Sequence, residues 1–520
     1  MASRCLEEDR GNPHAAIGGT GQAAVDPPVE VATDEVALAV LAAPGPPQQT
    51  ILGHLEQDDK MKLGSACTSL RQASLAWFAE VNVKVVPNKT DVASLAAWLE
   101  RHQARLHLQT DRGDATKDDY EDSGAERNDS LTALPSSMVT SLTTHNPLPA
   151  AVSALTALTS LISDSIPDEH NNVLIYSLSA HHLRPLMRLT QLSLSFNDLG
   201  SNAEEMLSLP ALAGLQTLIL LGCNLQAMPR ALSALTRLTA LVLSRGSISA
   251  TASLATLQRL QSLELSYCGL TAVPQQLSAL TTLTRLDLVY NPLAGGWQHL
   301  LPLPQLYELD FGFCGLTVVP EQLSALTALT RLDLTDNGEL AGGWQHLTPL
   351  PHLQDLNLSW CGLTALPEQL SALTALTHLN LSRNHGLKGG WQHLLPLTQL
   401  QHLDIYICSL SAVPEQVSAL TTLTCLTICW NDLEGGWQHL RPLRQLQDLN
   451  LENCSLTTVP RQLSALTALT SLSLRLNDEL AGGWRRLYQL KSLRRLDLRS
   501  FTPMVVPPRL AAMPLLHIET

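Results

Sequence analysis

The sequence predicts an α/β repeat solenoid with a curved parallel sheet for most of the 520-residue chain. The first observation is a pattern, Leu-x-x-Leu-x-Leu-x-x-Asn/Cys-x-Leu, that recurs about every 23 residues. The second is composition: 45% of the residues are hydrophobic but only 4% are aromatic, so leucine must supply most of the core. A solenoid grows by adding units, so one such domain can run for hundreds of residues.

Fourteen matches to the pattern follow one another as far as the end of the chain. Each Leu-x-x-Leu-x-Leu stretch predicts a short strand whose alternate leucines point inward, while the residues between them face out. Stacked units would then form a parallel sheet along the concave side of the solenoid. The units begin at Leu189, Leu215, Leu238, Leu260, Leu283, Leu306, Leu329, Leu353, Leu376, Leu400, Leu423, Leu446, Leu469 and Leu493.

An asparagine or a cysteine follows most of these strands, and we expect it to turn inward and satisfy backbone groups of the neighbouring unit. The asparagines are Asn197, Asn291, Asn337, Asn384, Asn431 and Asn477, and the cysteines are Cys223, Cys268, Cys314, Cys361, Cys408 and Cys454. A buried cysteine behaves as a small hydrophobic residue with a weak S–H donor. Packing is favoured over a metal site, because ligands would have to converge at short spacing.

The two kinds of unit alternate, so the true repeat is a pair of about 46 residues that is copied five times after Cys268. On the convex side, a proline in one kind of unit is replaced by a tryptophan in the other. We interpret this tryptophan series as packing over leucines, with a binding role as the alternative. Its members are Trp297, Trp344, Trp391, Trp437 and Trp484.

The run Leu-Thr-Ala-Leu-Pro-Glu-Gln-Leu-Ser-Ala-Leu-Thr-Ala-Leu-Thr that ends at Thr377 resembles the plant-type intracellular leucine-rich repeats related to Ras-group proteins. The resemblance covers roughly residues 183–520. It implies a leucine-rich-repeat horseshoe that binds proteins on its concave face. It does not fix the partner, because function depends on the site and not on the fold.

Residues 44–85 resemble an F-box, the helical module that docks on the Skp-type adaptor of cullin ubiquitin ligases, as in the F-box/LRR family. The matching positions are Pro44, Ile51, Leu52, Leu55, Asp59, Leu63, Cys67, Leu70 and Arg71. The resemblance implies that Ile51, Leu52, Leu55 and Leu63 contact the adaptor. The segment departs from the family at Ala43, Pro46 and Pro47, and prolines there would interrupt the first helix. The alternative is a helical cap on the first repeat.

The predicted organisation has six parts. Residues 1–35 form a disordered tail, 36–87 the F-box-like helical module, and 88–110 a diverged first repeat with a helix and a strand. Residues 111–130 form an acidic disordered loop, 131–188 hold irregular repeats, and 189–520 form the regular solenoid, which ends in a stub strand.

The residue just before the Asn/Cys position suggests where a partner binds, because the fold does not dictate it. From the unit at Leu260 this residue is Tyr267, Tyr290, Phe313, Asp336, Trp360, Arg383, Ile407, Trp430 and Asn453, with Phe196 upstream. Beside it, the middle strand position is mostly acidic or amide, at Glu264, Asp287, Asp310, Asp333, Asn357, Asn380 and Asp404.

Rows of exposed aromatic residues are typical of interface anchors. We therefore predict that a partner with basic and apolar groups binds the concave face of the sheet at Tyr267, Tyr290, Phe313, Trp360 and Trp430 together with Asp287, Asp310 and Asp333. The alternative is that the rings stack on one another and only cover the sheet. A third row mixes Arg285, Glu308, Arg331, Asp355, His378 and His402.

Several function classes are disfavoured. A net charge of −14 argues against a nucleic-acid partner. The start of the chain has no apolar run as long as that of a signal peptide, and no uncharged apolar stretch is long enough to span a membrane. We find no nucleophile–base grouping, phosphate loop or metal-ligand cluster, so we expect no catalysis, cofactor or metal. The predicted function is substrate recognition for an SCF-type cullin ubiquitin ligase, in the cytoplasm or nucleus. The alternative is a scaffold or signalling-interaction protein, with a cytoskeletal, ciliary or axonemal setting.

Overall fold

The structure is a computed structural model that describes residues 80–85, 90–110, 131–145, 148–164, 179–248, 251–499, 507–513 and 515–519. The chain divides into two units, and Met1–Val81 with Arg101–Gln103 form the first. Asn82–Glu100 with Ala104–Thr520 form the second, which contains the repeats. The predicted tail, the F-box-like segment as far as residue 79 and the acidic loop 111–130 lie outside the described residues.

Nineteen strands lie within the described ranges, and most have three residues. They are β1 (Glu80–Val85), β2 (Arg105–Thr110), β3 (Val139–His145), β4 (Ser160–Asp164), β5 (Gln191–Ser193), β6 (Thr217–Ile219), β7 (Ala240–Val242), β8 (Ser262–Glu264), β9 (Arg285–Asp287), β10 (Glu308–Asp310), β11 (Arg331–Asp333), β12 (Asp355–Asn357), β13 (His378–Asn380), β14 (His402–Asp404), β15 (Cys425–Thr427), β16 (Asp448–Asn450), β17 (Ser471–Ser473), β18 (Arg495–Asp497) and β19 (His517–Glu519). Strands β5 to β18 are the fourteen that the repeat pattern predicts.

Each strand from β2 to β18 pairs in parallel with the next strand along the chain. Equivalent residues of neighbouring units face each other, as in the pairing of Glu308 with Arg285 and Arg331. The central leucine of each strand is buried, as at Leu309 and Leu332. The predicted parallel-sheet solenoid is confirmed, and its register turns each position of the repeat into a row across the sheet.

Short helices return the chain from one strand to the next. The α-helices are α1 (Val92–His102), α2 (Ala203–Leu207) and α3 (Pro508–Ala511). The 3₁₀ helices are Ala150–Ala154, Ala180–His182, Gly200–Asn202, Pro210–Gly214, Arg230–Ala234, Ala252–Thr256, Gln275–Ala279, Trp297–Leu300, Glu321–Ala325, Trp344–Leu347, Glu368–Ala372, Trp391–Leu394, Glu415–Ala419, Trp437–Leu440, Arg461–Ala465 and Trp484–Gln489. Helix α1 and strand β2 fall where a diverged first repeat is predicted.

The predicted pairing of units has a physical basis. We call a unit with an inward cysteine a Cys unit and one with an inward asparagine an Asn unit. Isolated parallel bridges join a Cys unit to the Asn unit that follows it, as from Val318 to Gly342 and from Ala365 to Gly389. The next glycine, Gly390, has φ +79°, and a Cβ there would lie 2.4 Å from the Leu366 carbonyl oxygen. The Gly-Gly pair therefore allows the two backbones to approach closely.

The inward asparagines and cysteines form a buried row that we call the ladder. The Asn384 amide Nδ2 donates to the carbonyls of Leu358 (2.9 Å) and Leu381 (2.7 Å). Its Oδ1 accepts from the N–H groups of Cys361 (3.1 Å) and Leu363 (2.9 Å). One asparagine thus satisfies backbone groups of its own unit and of the unit before it, as predicted.

The cysteines of the ladder also pack as predicted. The Cys361 sulfur donates to the Leu334 carbonyl at 3.1 Å, in the place that an asparagine amide takes in the other units. Burial raises the pKa of the Cys361 thiol to about 12, so the thiol stays protonated and keeps its donor at neutral pH. The Cys361 N–H donates to the Asn384 Oδ1 of the Asn unit that follows.

The tryptophan series lies where the 3₁₀ helices of the Asn units begin, and its members are half-buried. Trp297 packs edge-on against the buried Phe311, with ring centroids 5.5 Å apart at 78°. This contact is of the kind that the packing interpretation predicts.

Candidate functional site

The aromatic positions predicted to bind a partner form one continuous row, which we call the turn column. Its described members are Phe196, Gly222, Arg245, Tyr267, Tyr290, Phe313, Asp336, Trp360, Arg383, Ile407, Trp430, Asn453 and Leu476, and all have φ between 48° and 66°. The column therefore lies in left-handed turns beyond the strand ends, and not on the sheet itself as the sequence suggested. Tyr290, for example, comes three residues after the end of β9.

Left-handed backbone costs a bulky residue about 1–2 kcal/mol, so something must hold these turns. Each column N–H donates to the neighbouring unit, as Tyr290 does to Gly312 O (3.0 Å) and Phe313 to Thr335 O (2.7 Å). The sheet pairing thus continues past the strands and sets every column side chain beside the next one.

The first part of the column is a stack. The Tyr267 and Tyr290 rings lie 3.9 Å apart at 16°, and the Tyr290 and Phe313 rings 4.0 Å apart at 14°. The Arg245 guanidinium extends the stack, 5.4 Å from the Tyr267 centroid and 6.0 Å from that of Phe196. The ring faces of Tyr267, Tyr290 and Phe313 are therefore stacked on one another, yet Tyr267 and Tyr290 keep 43% and 37% of their surface exposed.

A second cluster follows after Asp336. The Arg383 guanidinium lies 5.1 Å from the Trp360 centroid and 5.0 Å from that of Tyr406. His385 contacts Trp360 edge to face at 6.1 Å. Trp360 remains 41% exposed and Trp430 43% exposed, so ring surface is available to a partner here as well.

The predicted carboxylates have a structural task, because they cap the turns. Asp287 accepts from Val289 N (2.9 Å), Asp310 from Gly312 N (2.8 Å) and Asp333 from Thr335 N (2.8 Å). Side chains add further bonds at two of the three positions. Ser266 Oγ donates to Asp287 at 2.8 Å, and Asn357 Nδ2 donates to the second oxygen of Asp333 at 2.9 Å.

Asp310 is the least compensated of these carboxylates. Burial raises its pKa to about 7, and the neighbouring Asp333, Asp287 and Glu308 carboxylates add to the effect. Its one hydrogen bond from the described residues comes from Gly312 N. Val289 of the preceding unit stands where Ser266 donates a hydroxyl to Asp287, and its side chain has no donor.

The third predicted row contains both ion pairs and histidines. Glu308 lies between two arginines, 2.8 Å from Arg285 Nε and 3.5 Å from Arg331 Nη1. Arg331 Nε also pairs with Asp355 at 3.0 Å. These arginines are more than half exposed, so the pairs add little stability. Their effect is to neutralise one end of the row.

The row continues with two histidines. The His378 and His402 rings stack 4.2 Å apart at 8°. Burial, and then the charge of His378, lowers the pKa of His402. Between this row and the carboxylates lies a hollow of about 460 Å³, which reaches from β10 to β15 and is lined by Asp310, Asp333, His378, His402 and Cys425 among others.

The structure brings the eight predicted binding residues to one side of the repeat domain but divides them between two surfaces. Tyr267, Tyr290, Phe313, Trp360 and Trp430 edge the sheet, and the three aspartates lie on it. Sequence reasoning missed Arg245 and Tyr406 as stacking partners. Arg245 would have been found by following the column one unit upstream of Tyr267.

Two further observations bear on function. Among the described residues, no group of three or more His, Cys, Asp or Glu side chains could hold a metal ion. Within the same ranges, no helix has both the length and the apolar character needed to cross a membrane. Ile51, Leu52, Leu55 and Leu63, the predicted adaptor contacts, lie outside the described residues.

Comparison with known proteins finds one family model, described as a leucine-rich repeat, that matches residues 350–365. No curated protein matches the sequence. Among solved structures, the TLR13–ssRNA13 complex is 21% identical with a TM-score of 0.51, over 81% of this chain and 66% of that one. A leucine-rich-repeat protein of Leptospira interrogans is 22% identical with a TM-score of 0.49, over 74% and 90%.

An internalin of Listeria monocytogenes is 22% identical with a TM-score of 0.48, over 64% of this chain and 91% of that one. Similarity at these identities extends to the fold alone. The repeat model and the stacked parallel strands agree on that fold: the chain is a leucine-rich-repeat solenoid.

Proposed function

We propose that this chain binds a protein partner through the turn column and the adjoining face of the sheet. The observation that carries the proposal is the exposed ring surface of Tyr267, Tyr290, Trp360 and Trp430 in a chain with only 4% aromatic residues. Exposed aromatic rows are costly in water and supply anchors at protein interfaces. The leucine-rich-repeat fold suits this task because it presents equivalent positions side by side over a long surface.

Charge indicates which partner groups would fit. The hollow is lined by Asp310, Asp333, Asp355 and Asp404 as well as Glu308. Burial raises the pKa of Asp310 to about 7, and repulsion from the neighbouring carboxylates of Asp333, Asp287 and Glu308 adds to the effect. A partner that brings basic groups to the sheet and apolar groups to the column would relieve this repulsion. The net charge of −14 disfavours nucleic acid on the same surface.

The more specific proposal is that the chain is the substrate-recognition subunit of an SCF-type cullin ubiquitin ligase. Residues 36–87 would bind the Skp-type adaptor, and the column and sheet would bind the substrate, so the chain would recruit and not catalyse. The support is the F-box resemblance of the segment. We place the protein in the cytoplasm or nucleus, and its eight described cysteines, all free thiols, suit a reducing compartment.

The adaptor proposal is tested by copurification of the full-length chain with a recombinant Skp-type adaptor. We expect a stable complex with the unaltered chain and none with the Ile51→Asp, Leu55→Asp double variant. A matched control, Leu301→Asp with Leu395→Asp, changes two half-exposed leucines outside the segment and should keep the adaptor.

Failure of the unaltered chain to bind the adaptor would remove the ligase proposal. The chain would then be a scaffold or signalling-interaction protein, with residues 36–87 serving as a cap. Cytoskeletal and ciliary settings belong to that alternative.

A further inference from the structure

The turn column contains two arginines of its own, and both lie between aromatic rings. The Arg245 guanidinium is 6.0 Å from the Phe196 centroid and 5.4 Å from that of Tyr267. The Arg383 guanidinium is 5.1 Å from the Trp360 centroid and 5.0 Å from that of Tyr406. A guanidinium between two rings is thus an arrangement that this column forms repeatedly. It is favourable because the ring faces carry negative charge density.

Asp336 is the column residue between the stack that ends at Phe313 and the cluster that begins at Trp360, and it is neither aromatic nor cationic. One face of Phe313 is covered by Tyr290 at 4.0 Å, and within the described residues no ring or cation covers the other. Trp360 is contacted by Arg383 and His385, which both belong to the unit that follows it. Among the described residues, Asp336 occupies the column position between Phe313 and Trp360.

The spacing of the units leaves room there. Phe313, Asp336 and Trp360 share one backbone conformation, with φ of 55°, 55° and 56°. Their N–H groups make equivalent bonds to the next unit, at 2.7, 2.9 and 3.0 Å. Neighbouring strands lie about 4.8 Å apart, so the backbones of Phe313 and Trp360 are separated by about 10 Å. A planar group in van der Waals contact with both rings needs about 7–8 Å, and the aspartate is too short to fill the gap.

Asp336 also supplies the charge for such a group. Its carboxylate makes no ion pair or hydrogen bond with side chains of the described residues and is half-exposed. Two ring faces and a carboxylate together favour a flat cation. A guanidinium meets this requirement better than an ammonium, because it is planar and can stack while its edge donates to a carboxylate.

We propose that the gap between Phe313 and Trp360, above Asp336, binds an arginine side chain of the protein partner. The guanidinium stacks between the two rings and donates to the Asp336 carboxylate. The partner thereby completes in trans what Arg245 and Arg383 complete in cis. The inference rests on the proposed protein-binding function only in assigning the arginine to a protein.

The test uses the full-length chain labelled with fluorotryptophan and a small probe, N-acetyl-arginine-N-methylamide, followed by fluorine NMR. The Trp360→Phe variant identifies the Trp360 signal. We expect that signal to move saturably with the arginine probe and to stay still with the citrulline analogue, which has the same shape without the charge. The Asp336→Ala variant should raise the Kd of the arginine probe about tenfold.

The Asp336→Arg variant tests the gap more strictly. Arginine already occupies the same turn at positions 245 and 383, so the backbone accepts it. Its side chain should fill the gap and abolish the response of the Trp360 signal. Asp432→Ala removes an exposed carboxylate of another Asn unit and should leave the response unchanged.

Equal responses to arginine and citrulline, or a full response in Asp336→Arg, would overturn the inference. The probe experiment needs no partner, so it can fail while the protein-binding function stands. Conversely, a chain that binds the probe but no protein keeps the arginine site and loses the proposed function.

Discussion

The ladder and the turn column occupy adjacent positions in each unit, yet they differ in the residue types that they accept. Asn291, Cys361 and Asn384 are buried, and the ladder alternates between two residue types. The residues just before these three are Tyr290, Trp360 and Arg383. The residue at the ladder position must supply hydrogen bonds to buried backbone groups. The residue at the column position needs only to adopt a left-handed backbone conformation.

This difference separates fold from function within each unit. A ladder side chain is enclosed by the backbones of two units, so its loss leaves buried polar groups without partners. A column side chain projects past the strand ends, where its ring faces can stack and its edges stay in water. The fold therefore fixes one position and leaves the next free to carry binding chemistry.

The largest stability effect is expected at the ladder. Asn384→Ala removes five buried hydrogen bonds to backbone groups and should lower the free energy of unfolding by about 4 kcal/mol. Asn453→Ala alters the same residue type in the column and should cost about 1 kcal/mol, for the left-handed turn. Urea unfolding of both variants measures the difference, and equal losses would contradict the distinction between the two rows.

A second pair of neighbouring residues, Gly389 and Gly390, lies where the backbone of an Asn unit comes close to that of the preceding Cys unit. Gly390→Ala places a Cβ 2.4 Å from the Leu366 carbonyl oxygen at φ +79°, and should cost about 3 kcal/mol. At Gly389 a Cβ would meet only the Ala365 Cβ, at 3.9 Å, so Gly389→Ala should be nearly neutral. The comparison is read from thermal melts of the two variants; similar melting temperatures would show that the paired backbones yield easily.

Much of the fold followed from the sequence for a physical reason. The inward leucines, the ladder and the paired units are positions where one environment admits few residue types, so the repeat spacing reports them directly. Asn384 and Cys361 could be assigned their hydrogen-bonding roles before the structure because few residue types suit a buried backbone turn.

The candidate site was only partly predictable. Tyr290 and Trp360 were identified as unusual, but a left-handed turn at a bulky residue is rare and leaves no mark in the sequence, so they were placed on the sheet. The stacking of Arg245 depends on neighbours about 22 and 49 residues away, which the repeat brings together. The capping role of Asp310 depends on turn geometry that its residue type alone does not indicate.

A smaller effect on stability is expected from substitutions in the carboxylate row, where Asp310 and Asp333 are adjacent in the sheet. Because the folded pKa of Asp310 is raised to about 7, the contribution of Asp310 to stability falls as pH rises from about 4 to 7. Asp310→Asn removes the disfavoured charge and should stabilise the chain by about 1 kcal/mol at pH 8, after allowance for solvent screening, with the gain vanishing near pH 4.

Asp333→Asn is the control for this prediction. Both of its carboxylate oxygens accept hydrogen bonds, one of them from the Asn357 amide, so the substitution should destabilise at pH 8. Unfolding measured from pH 4 to pH 8 distinguishes the two variants. A gain for Asp310→Asn that does not change with pH would rule out its charge as the cause.

The decisive measurement is the affinity of the full-length chain for a purified protein partner, with and without the column rings. The Tyr290→Ala, Phe313→Ala, Trp360→Ala variant should lose about 4 kcal/mol of binding, roughly a thousandfold, while stability falls by only about 2 kcal/mol. Leu301→Ala, Val318→Ala, Leu395→Ala removes three exposed side chains away from the column and should bind normally. Unchanged affinity of the ring variant would contradict the assignment of the turn column as the binding surface.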